Sequence, residues 1–329
     1  MNIQYFPVLK AKAGEFWAVS HLDDAAKHVT PIFVAVPPAK DSEVPEKELG
    51  QKVVDDIQKH WSRKFYLDLS AVSTKYATAS LKQCLDRKLN FSPVVQSQPS
   101  EEYLALVSGH LSKSGQAEVM LRCHSMEQPR RIRKLLESLK KEPQQCIYVI
   151  DYREKPMDIA EDILDICDPA EWKELIAVSG TFPSRVNQLD QSQWHAFPRE
   201  SWTSWLSGIR HKNVVRMPAF GDYATRSVTE GNGRGEPSAN VRYSVQNGWN
   251  IRIGKKLISG GPASMIDICK DLVGRKFYAG REFSMGDMMF DEVAHERGQT
   301  GGGALQWVQW SLNHHLVRVA RDLQAISEK

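Results

Sequence analysis

Residues 118–123 read Glu-Val-Met-Leu-Arg-Cys, residues 128–141 read Gln-Pro-Arg-Arg-Ile-Arg-Lys-Leu-Leu-Glu-Ser-Leu-Lys-Lys, and residues 146–151 read Cys-Ile-Tyr-Val-Ile-Asp. The outer two runs are nearly continuous in apolar residues, as strands buried on both faces are. The middle segment places Ile132, Leu135, Leu136 and Leu139 on one helical stripe and its Arg and Lys residues on the other face. Strand, helix and strand in roughly 30 residues make a parallel β–α–β unit.

The same alternation extends in both directions. Strand-like runs occupy 5–10 (Tyr-Phe-Pro-Val-Leu-Lys), 31–36, 64–69, 91–96, 174–179 and 214–219. Helical stripes occupy 46–61, with Leu49, Val53, Ile57 and Trp61 four apart, then 101–112 and 158–167. Eight such strands predict an α/β fold, a TIM-barrel-like (β/α)8 barrel over 1–223, near the usual ~250 residues. An open doubly wound sheet is the competitor. No Gly-x-Gly-x-x-Gly follows the first run, which weakens its nucleotide-binding form. Residues 180–213, with Trp194, Trp202 and Trp205, are expected to cover one end of the barrel.

Residues 224–329 read as a C-terminal β-hairpin and helical extension packed on the barrel in one integrated domain. The segment 224–238 holds Gly231, Gly233 and Gly235 and reads as a mobile loop after the eighth strand. Alternating runs at 240–245 and 249–253 flank Gln246-Asn247-Gly248, a hairpin signal. A final helix over 304–325 carries Leu305, Val308, Leu312, Leu316, Val319 and Leu323 on one face.

Composition sets outer bounds. In 329 residues, 41% hydrophobic content supplies a full core. Lys plus Arg number 43 against 40 acids, a net +3, which excludes a strongly basic nucleic-acid glove. The tryptophans are not interleaved with a basic stripe, which argues against sequence-specific nucleic-acid binding. Five cysteines, at 84, 123, 146, 167 and 269, form no Cys-x-x-Cys. The first residues lack a signal-peptide core, and there is no apolar run of ~18 residues for a membrane span. The default expectation is a cytoplasmic protein with reduced thiols.

Barrel chemistry occurs at the C-terminal ends of the strands. Those ends here carry Lys10, then Lys12 and Glu15; Asp68 and Ser70; Gln96; Arg122 and His124; Asp151 and Arg153; Asp222 and Tyr223. Buried charge requires a partner or a ligand. One reading is an internal ion-pair ring, with Asp68 and Asp151 against Arg122 and Lys10. The other is an anion site held by Lys10, Arg122, His124 and Arg153, in which Asp68, Asp151 and Asp222 hold a metal or act as acid and base. Cys123, between two inward neighbours, is expected behind the barrel wall. His314 and His315 point about 100° apart on a helix, so a packing role is favoured over shared metal ligation.

Several segments together resemble a known family. They are the opening Tyr5-Phe6-Pro7-Val8-Leu9-Lys10-Ala11-Lys12-Ala13-Gly14-Glu15 with Thr30-Pro31-Ile32, the Phe220-Gly221-Asp222-Tyr223 element, Asn240-Val241-Arg242-Tyr243 with Trp249 and Arg252, and Trp307 with Asn313-His314-His315-Leu316. In order and spacing they resemble the beta protein family, which takes its name from a satellite-phage protein. The resemblance implies a barrel-like α/β protein of phage and antiviral-defence context, and no particular reaction. Position 35, where members often carry an acid, is Ala35 here. The matching polar residues are Lys10, Lys12, Glu15, Asp222, Tyr223, Arg242, His314 and His315.

The leading functional expectation is a sensor or immunity factor that binds a phosphorylated small molecule or nucleotide at the barrel mouth, with Arg242 among the cations, and that has a protein partner from a defence operon. An alternative is a metal-assisted phosphodiester or nucleotide hydrolase using Asp68, Asp151 and Asp222. A further alternative is a pyridoxal-phosphate barrel using Lys10, although no phosphate loop follows strands seven and eight.

Overall fold

The computed structural model describes residues 4–39, 42–115, 118–124, 129–163, 169–209, 214, 216–228, 236–297 and 300–327. Eight parallel strands close into a barrel: β1 (Tyr5–Lys10), β2 (Ile32–Val34), β3 (Phe65–Asp68), β4 (Phe91–Gln96), β5 (Val119–His124), β6 (Cys146–Asp151), β7 (Glu174–Ser179) and β9 (Ala219–Asp222). β1 pairs with β2 on one side and with β9 on the other. Helices α1 (Ala13–Ser20), α2 (Glu46–His60), α3 (Thr74–Asp86), α4 (Glu101–Ser114), α5 (Pro129–Leu139) and the short α6 (Ile159–Asp162) follow the first six strands in turn. This is the (β/α)8 barrel that the apolar runs predict.

Strand alternation divides the core in two. Val8, Tyr66, Val94, Met120, Val149 and Val178 cluster inside the barrel. Leu9, Phe33, Leu67, Val95, Leu121 and Ile150 join the layer between strands and helices. Cys123 belongs to that outer layer and is 1% exposed, so it lies behind the wall as expected. Cys167 lies outside the described residues.

Two expectations are corrected. The last barrel strand is Ala219–Asp222 rather than 214–219. Gly221 explains its composition. A Cβ there would stand 2.6 Å from the Phe6 carbonyl and 2.7 Å from Val178, so the strand cannot be uniformly β-branched where it closes the barrel. The segment after β7 also does not simply cover one barrel end. It contributes β8 (His195–Pro198) and α7 (Glu200–Ile209). α7 buries Trp202 and Trp205 edge-on against Phe220 in the outer layer. β8 pairs with the hairpin strand β11 (Gly248–Lys256), which pairs in turn with β10 (Ser238–Val245). The hairpin is therefore the larger part of a three-stranded sheet.

Helices α8 (Gly261–Val273), α9 (Met285–Ala294) and α10 (Ala304–Ser327) complete the chain. α10 serves two cores. Leu312, Leu316, Val319 and Leu323 face the barrel layer, and Trp307 and Trp310 face the core beneath the small sheet. Among the described residues no helix is long and apolar enough to cross a membrane.

Asn313, fully buried in α10, fastens three elements. Its amide nitrogen donates to the carbonyls of Ala18 at 2.9 Å and His21 at 2.8 Å, and its oxygen accepts from the Gly286 N–H at 2.8 Å. These are backbone groups at the end of α1 and the start of α9, which neither helix satisfies internally. Asn313→Ala leaves them unpaired and is expected to lower unfolding free energy by about 3 kcal/mol, measured by urea titration. A loss within experimental error would show that water replaces the side chain.

Candidate functional site

The barrel mouth is organised around Arg122. This side chain of β5 is 6% exposed and points inward among the strand tips. Its Nε donates to Asp151 Oδ2 at 2.9 Å, its Nη1 donates to Asp68 Oδ2 at 3.2 Å, and its Nη2 donates to the Tyr223 hydroxyl. The Tyr223 hydroxyl in turn donates to Asp151 Oδ2 at 2.7 Å. Asp68 also accepts from Gln96 Nε2 at 3.1 Å and from the Ser70 N–H at 3.0 Å, while Asp151 accepts from the Arg153 N–H at 3.0 Å. Burial opposes the Arg122 charge, but Tyr223, Asp151 and Asp68 outweigh it and hold the guanidinium more firmly protonated than usual. Burial also raises the Tyr223 hydroxyl, against the pull of Arg122, so it remains a donor. Of the expected ion-pair ring, Arg122 with Asp68 and Asp151 is present, joined by the neutral Tyr223 hydroxyl, while Lys10 lines the cavity.

Above this ring lies a cavity of about 240 Å³. Lys10, Glu15, Gln96, Arg122, Arg153 and Tyr223 line it. So do Arg226 and its neighbours in 224–228, together with Leu312 of α10. Arg153 and Ala224 have φ of 56° and 51°, the left-handed region that costs non-glycine residues energy. Both stand directly beyond barrel strands and both line the cavity. Gly180 makes room beside them. A Cβ there would stand 2.4 Å from Val228 and 2.7 Å from the Tyr223 ring.

Glu15, in the first turn of α1, is 1% exposed. Arg226 Nη2 stands 3.0 Å from its Oε1. Burial raises the Glu15 carboxyl above its ordinary range, although Arg226, its own N–H, Lys12 and Lys10 work the other way.

The remaining predicted residues lie elsewhere. Asp222 has the opposite parity to Tyr223 and faces the helix layer. It accepts from Tyr5 Oη, from the Ala224 N–H at 2.9 Å and from His315 Nε2 at 2.9 Å. It therefore does not join Asp68 and Asp151. His314 is fully buried away from the mouth, with Nδ1 2.7 Å from Asp287 Oδ2 and Nε2 2.8 Å from the Ser244 carbonyl. Arg242 donates to the Thr225 carbonyl at 2.6 Å, which tethers the cavity-lining segment from behind. His124 is exposed at the tip of β5 and Lys12 stands at the N-cap position of α1, and neither is among the cavity-lining residues. Of the segment read as a mobile loop, 229–235 lies outside the described residues, and β10 begins at Ser238.

The beta protein family model matches residues 5–321, nearly the whole chain. The chain belongs to the beta protein family. No curated protein matches it. Among solved structures it is similar to a mandelate racemase/muconate lactonizing protein from Herpetosiphon aurantiacus, at 11% identity and a TM-score of 0.41. That likeness covers 77% of this chain and 63% of the other. The barrel assignment itself stands on the strand pairing.

Sequence reading missed three residues of this beta family protein. Arg226 stands three positions beyond Tyr223, in the stretch read only as a loop. Tyr5 reads as an ordinary strand residue, yet its hydroxyl serves Asp222. Asp287, the partner of His314, sits in a segment without a motif.

Two expected outcomes follow from these pairings. Arg122→Met strands two buried carboxylates and is expected to lose about 3–5 kcal/mol of stability. Adding Asp68→Asn and Asp151→Asn is expected to recover part of that loss in a mutant cycle read by chemical denaturation. The second concerns His315. Burial lowers its proton affinity against the opposing pull of Asp222, and the neutral ring stacks on Trp249 at 4.6 Å. The unfolded chain then takes up a proton below about pH 6.5 that the folded site resists, so stability falls on acidification. Asp222 adds to the same trend at lower pH. Burial opposes its charge, but His315, Tyr5 and Arg199 hold its carboxyl below the usual range. Between about pH 7 and about pH 5, His315→Gln is expected to lose less stability than the wild type. Parallel curves would exclude His315 as the source.

Proposed function

We propose that this beta family protein binds a compact anionic small molecule, phosphorylated or carboxylated, at the C-terminal mouth of its barrel and acts as a ligand-responsive sensor. One observation carries the reading. Four cationic side chains, Lys10, Arg122, Arg153 and Arg226, line a single cavity beside one carboxyl, Glu15. The Arg122 charge is already balanced by Asp68 and Asp151. Lys10, at the end of β1, and Arg153, beyond β6, reach the anion from two sides of the cavity.

Three further features support it. The cavity sits at the strand ends where barrels bind ligands. Arg153 and Ala224, two of the six non-glycine residues with positive φ among the described residues, stand on its rim. Its size, about 240 Å³, lies below the ~300–1,000 Å³ of drug-sized sites, which favours a compact anion over a nucleotide. The metal-assisted alternative has less support. Asp222 faces away from Asp68 and Asp151, and no three His, Cys, Asp or Glu side chains among the described residues gather as a metal set. In the defence setting implied by the family resemblance, ligand occupancy would be the signal, read in the cytoplasm by a protein partner.

The test is thermal shift and calorimetry with phosphate, phosphate esters, nucleotides and small carboxylates. A compact anion is expected to raise the melting temperature in proportion to its occupancy. Lys10→Ala and Arg153→Asn are each expected to weaken binding about tenfold or more by removing a charge-assisted hydrogen bond. Asn is chosen at 153 because it tolerates positive φ. An anion response that survives both substitutions would place the site elsewhere.

A further inference from the structure

The cavity contains one group that anion binding alone does not explain. Glu15 is 1% exposed and lines the cavity. Apart from its own backbone N–H, neither carboxyl oxygen completes a hydrogen bond with another described residue, although Arg226 Nη2 lies 3.0 Å from Oε1. A buried carboxyl with open acceptor positions is costly unless something else fills them. Its place in the first turn of α1 favours negative charge but uses none of those lone pairs in a side-chain contact.

The barrel order places two of the cavity's cations, Arg122 and Arg153, across from this group, with Lys10 and Arg226 on its own side. Counting either way round the closed barrel, β5 is four strands from β1. Glu15 follows β1 and Arg226 follows the adjacent β9, whereas Arg122 lies on β5 and Arg153 just beyond β6. A ligand that fills the cavity therefore meets Arg122 and Arg153 at one end, and Lys10 and Arg226 together with the Glu15 carboxyl at the other. Resting on the anion-site reading above, we propose that Glu15 accepts hydrogen bonds from hydroxyl groups of the ligand, so that the site selects a hydroxylated anion such as a polyol or sugar phosphate or a polyhydroxy acid. Hydroxyl fits better than ammonium as the donor. Arg226, Lys10 and Lys12 all act electrostatically on Glu15, and they would repel a cationic group but not a neutral hydroxyl.

Matched pairs test this by calorimetry: propyl phosphate against glycerol 3-phosphate, and butyrate against trihydroxybutyrate. In the wild-type protein the hydroxylated member of at least one pair is expected to bind roughly tenfold to a hundredfold tighter than its partner, the range for hydrogen bonds to a charged group. In Glu15→Met that preference collapses to about one, while the unhydroxylated anion binds more tightly because a negative charge has gone. Glu15→Met is also expected to melt no lower than wild type, since an apolar side chain replaces an underpaired buried carboxyl. Three kinds of outcome overturn the proposal and can be told apart. If no member of either pair binds, the anion-site reading fails and takes this proposal with it. If anions bind without preference for hydroxyls, or the preference survives in Glu15→Met, the anion site stands and the role of Glu15 falls. If Glu15→Met melts markedly lower, the carboxyl is structural and the proposal is equally refuted.

Discussion

A guanidinium enclosed at the top of a barrel is the constraint on which the rest of the mouth depends. Arg122 cannot be buried without partners, because desolvation of a charge costs several kcal/mol. Those partners come from around the barrel: Asp68 at the end of β3, Asp151 at the end of β6, and Tyr223 just beyond β9. A one-residue slip in any of these strands would turn the partner to the outer face. The ring thus ties the register of several strands to one cation. It also sets the chemistry above it. With both carboxylates engaged by Arg122, the groups still facing the cavity are mainly cationic, and Glu15 is the acid among them.

A second polar seam joins the C-terminal elements to the barrel. Three consecutive residues of α10 point in three directions. Asn313 fastens α1 and α9, His314 reaches Asp287 and Ser244, and His315 reaches Asp222 on the outer face of β9. Helical geometry separates neighbouring side chains by about 100°, so such a run contacts three neighbours at once. The docking also shapes the cavity. Leu312 of α10 lines the cavity, and Arg242 of β10 holds the carbonyl of Thr225, another lining residue. The segments after the barrel therefore build part of its mouth.

Legibility in the sequence followed burial. Strands packed on both faces carry continuous apolar runs, so seven of the eight were readable at nearly their observed positions. β9 was not, because closing the barrel against Phe6 and Val178 requires Gly221, and in sequence the nearby Val214-Val215 carries the stronger β-branched signal. β8 escaped notice because its four residues, His-Ala-Phe-Pro, are only partly buried. At the mouth, Lys10, Glu15, Arg122, Arg153 and Tyr223 were readable as a group because strand ends are the expected place for ligand-facing groups. Asp222 was misassigned for want of parity. An acid next to Tyr223 must face the opposite side of the sheet, and that side can be named only once the closing strand is placed.

The sequence by itself determined the barrel and the concentration of charge at its strand tips. Both follow from patterns repeating every two or 3.6 residues, and such patterns are local. The tertiary structure decided which charges neutralise one another and which line the cavity. Arg122 meets Asp68 across 54 positions and Tyr223 across 101, and His315 meets Asp222 across 93. Pairings at those separations leave no local periodicity. They arise when strand order, register and side-chain parity are set together, because only then does burial make each charge find its partner.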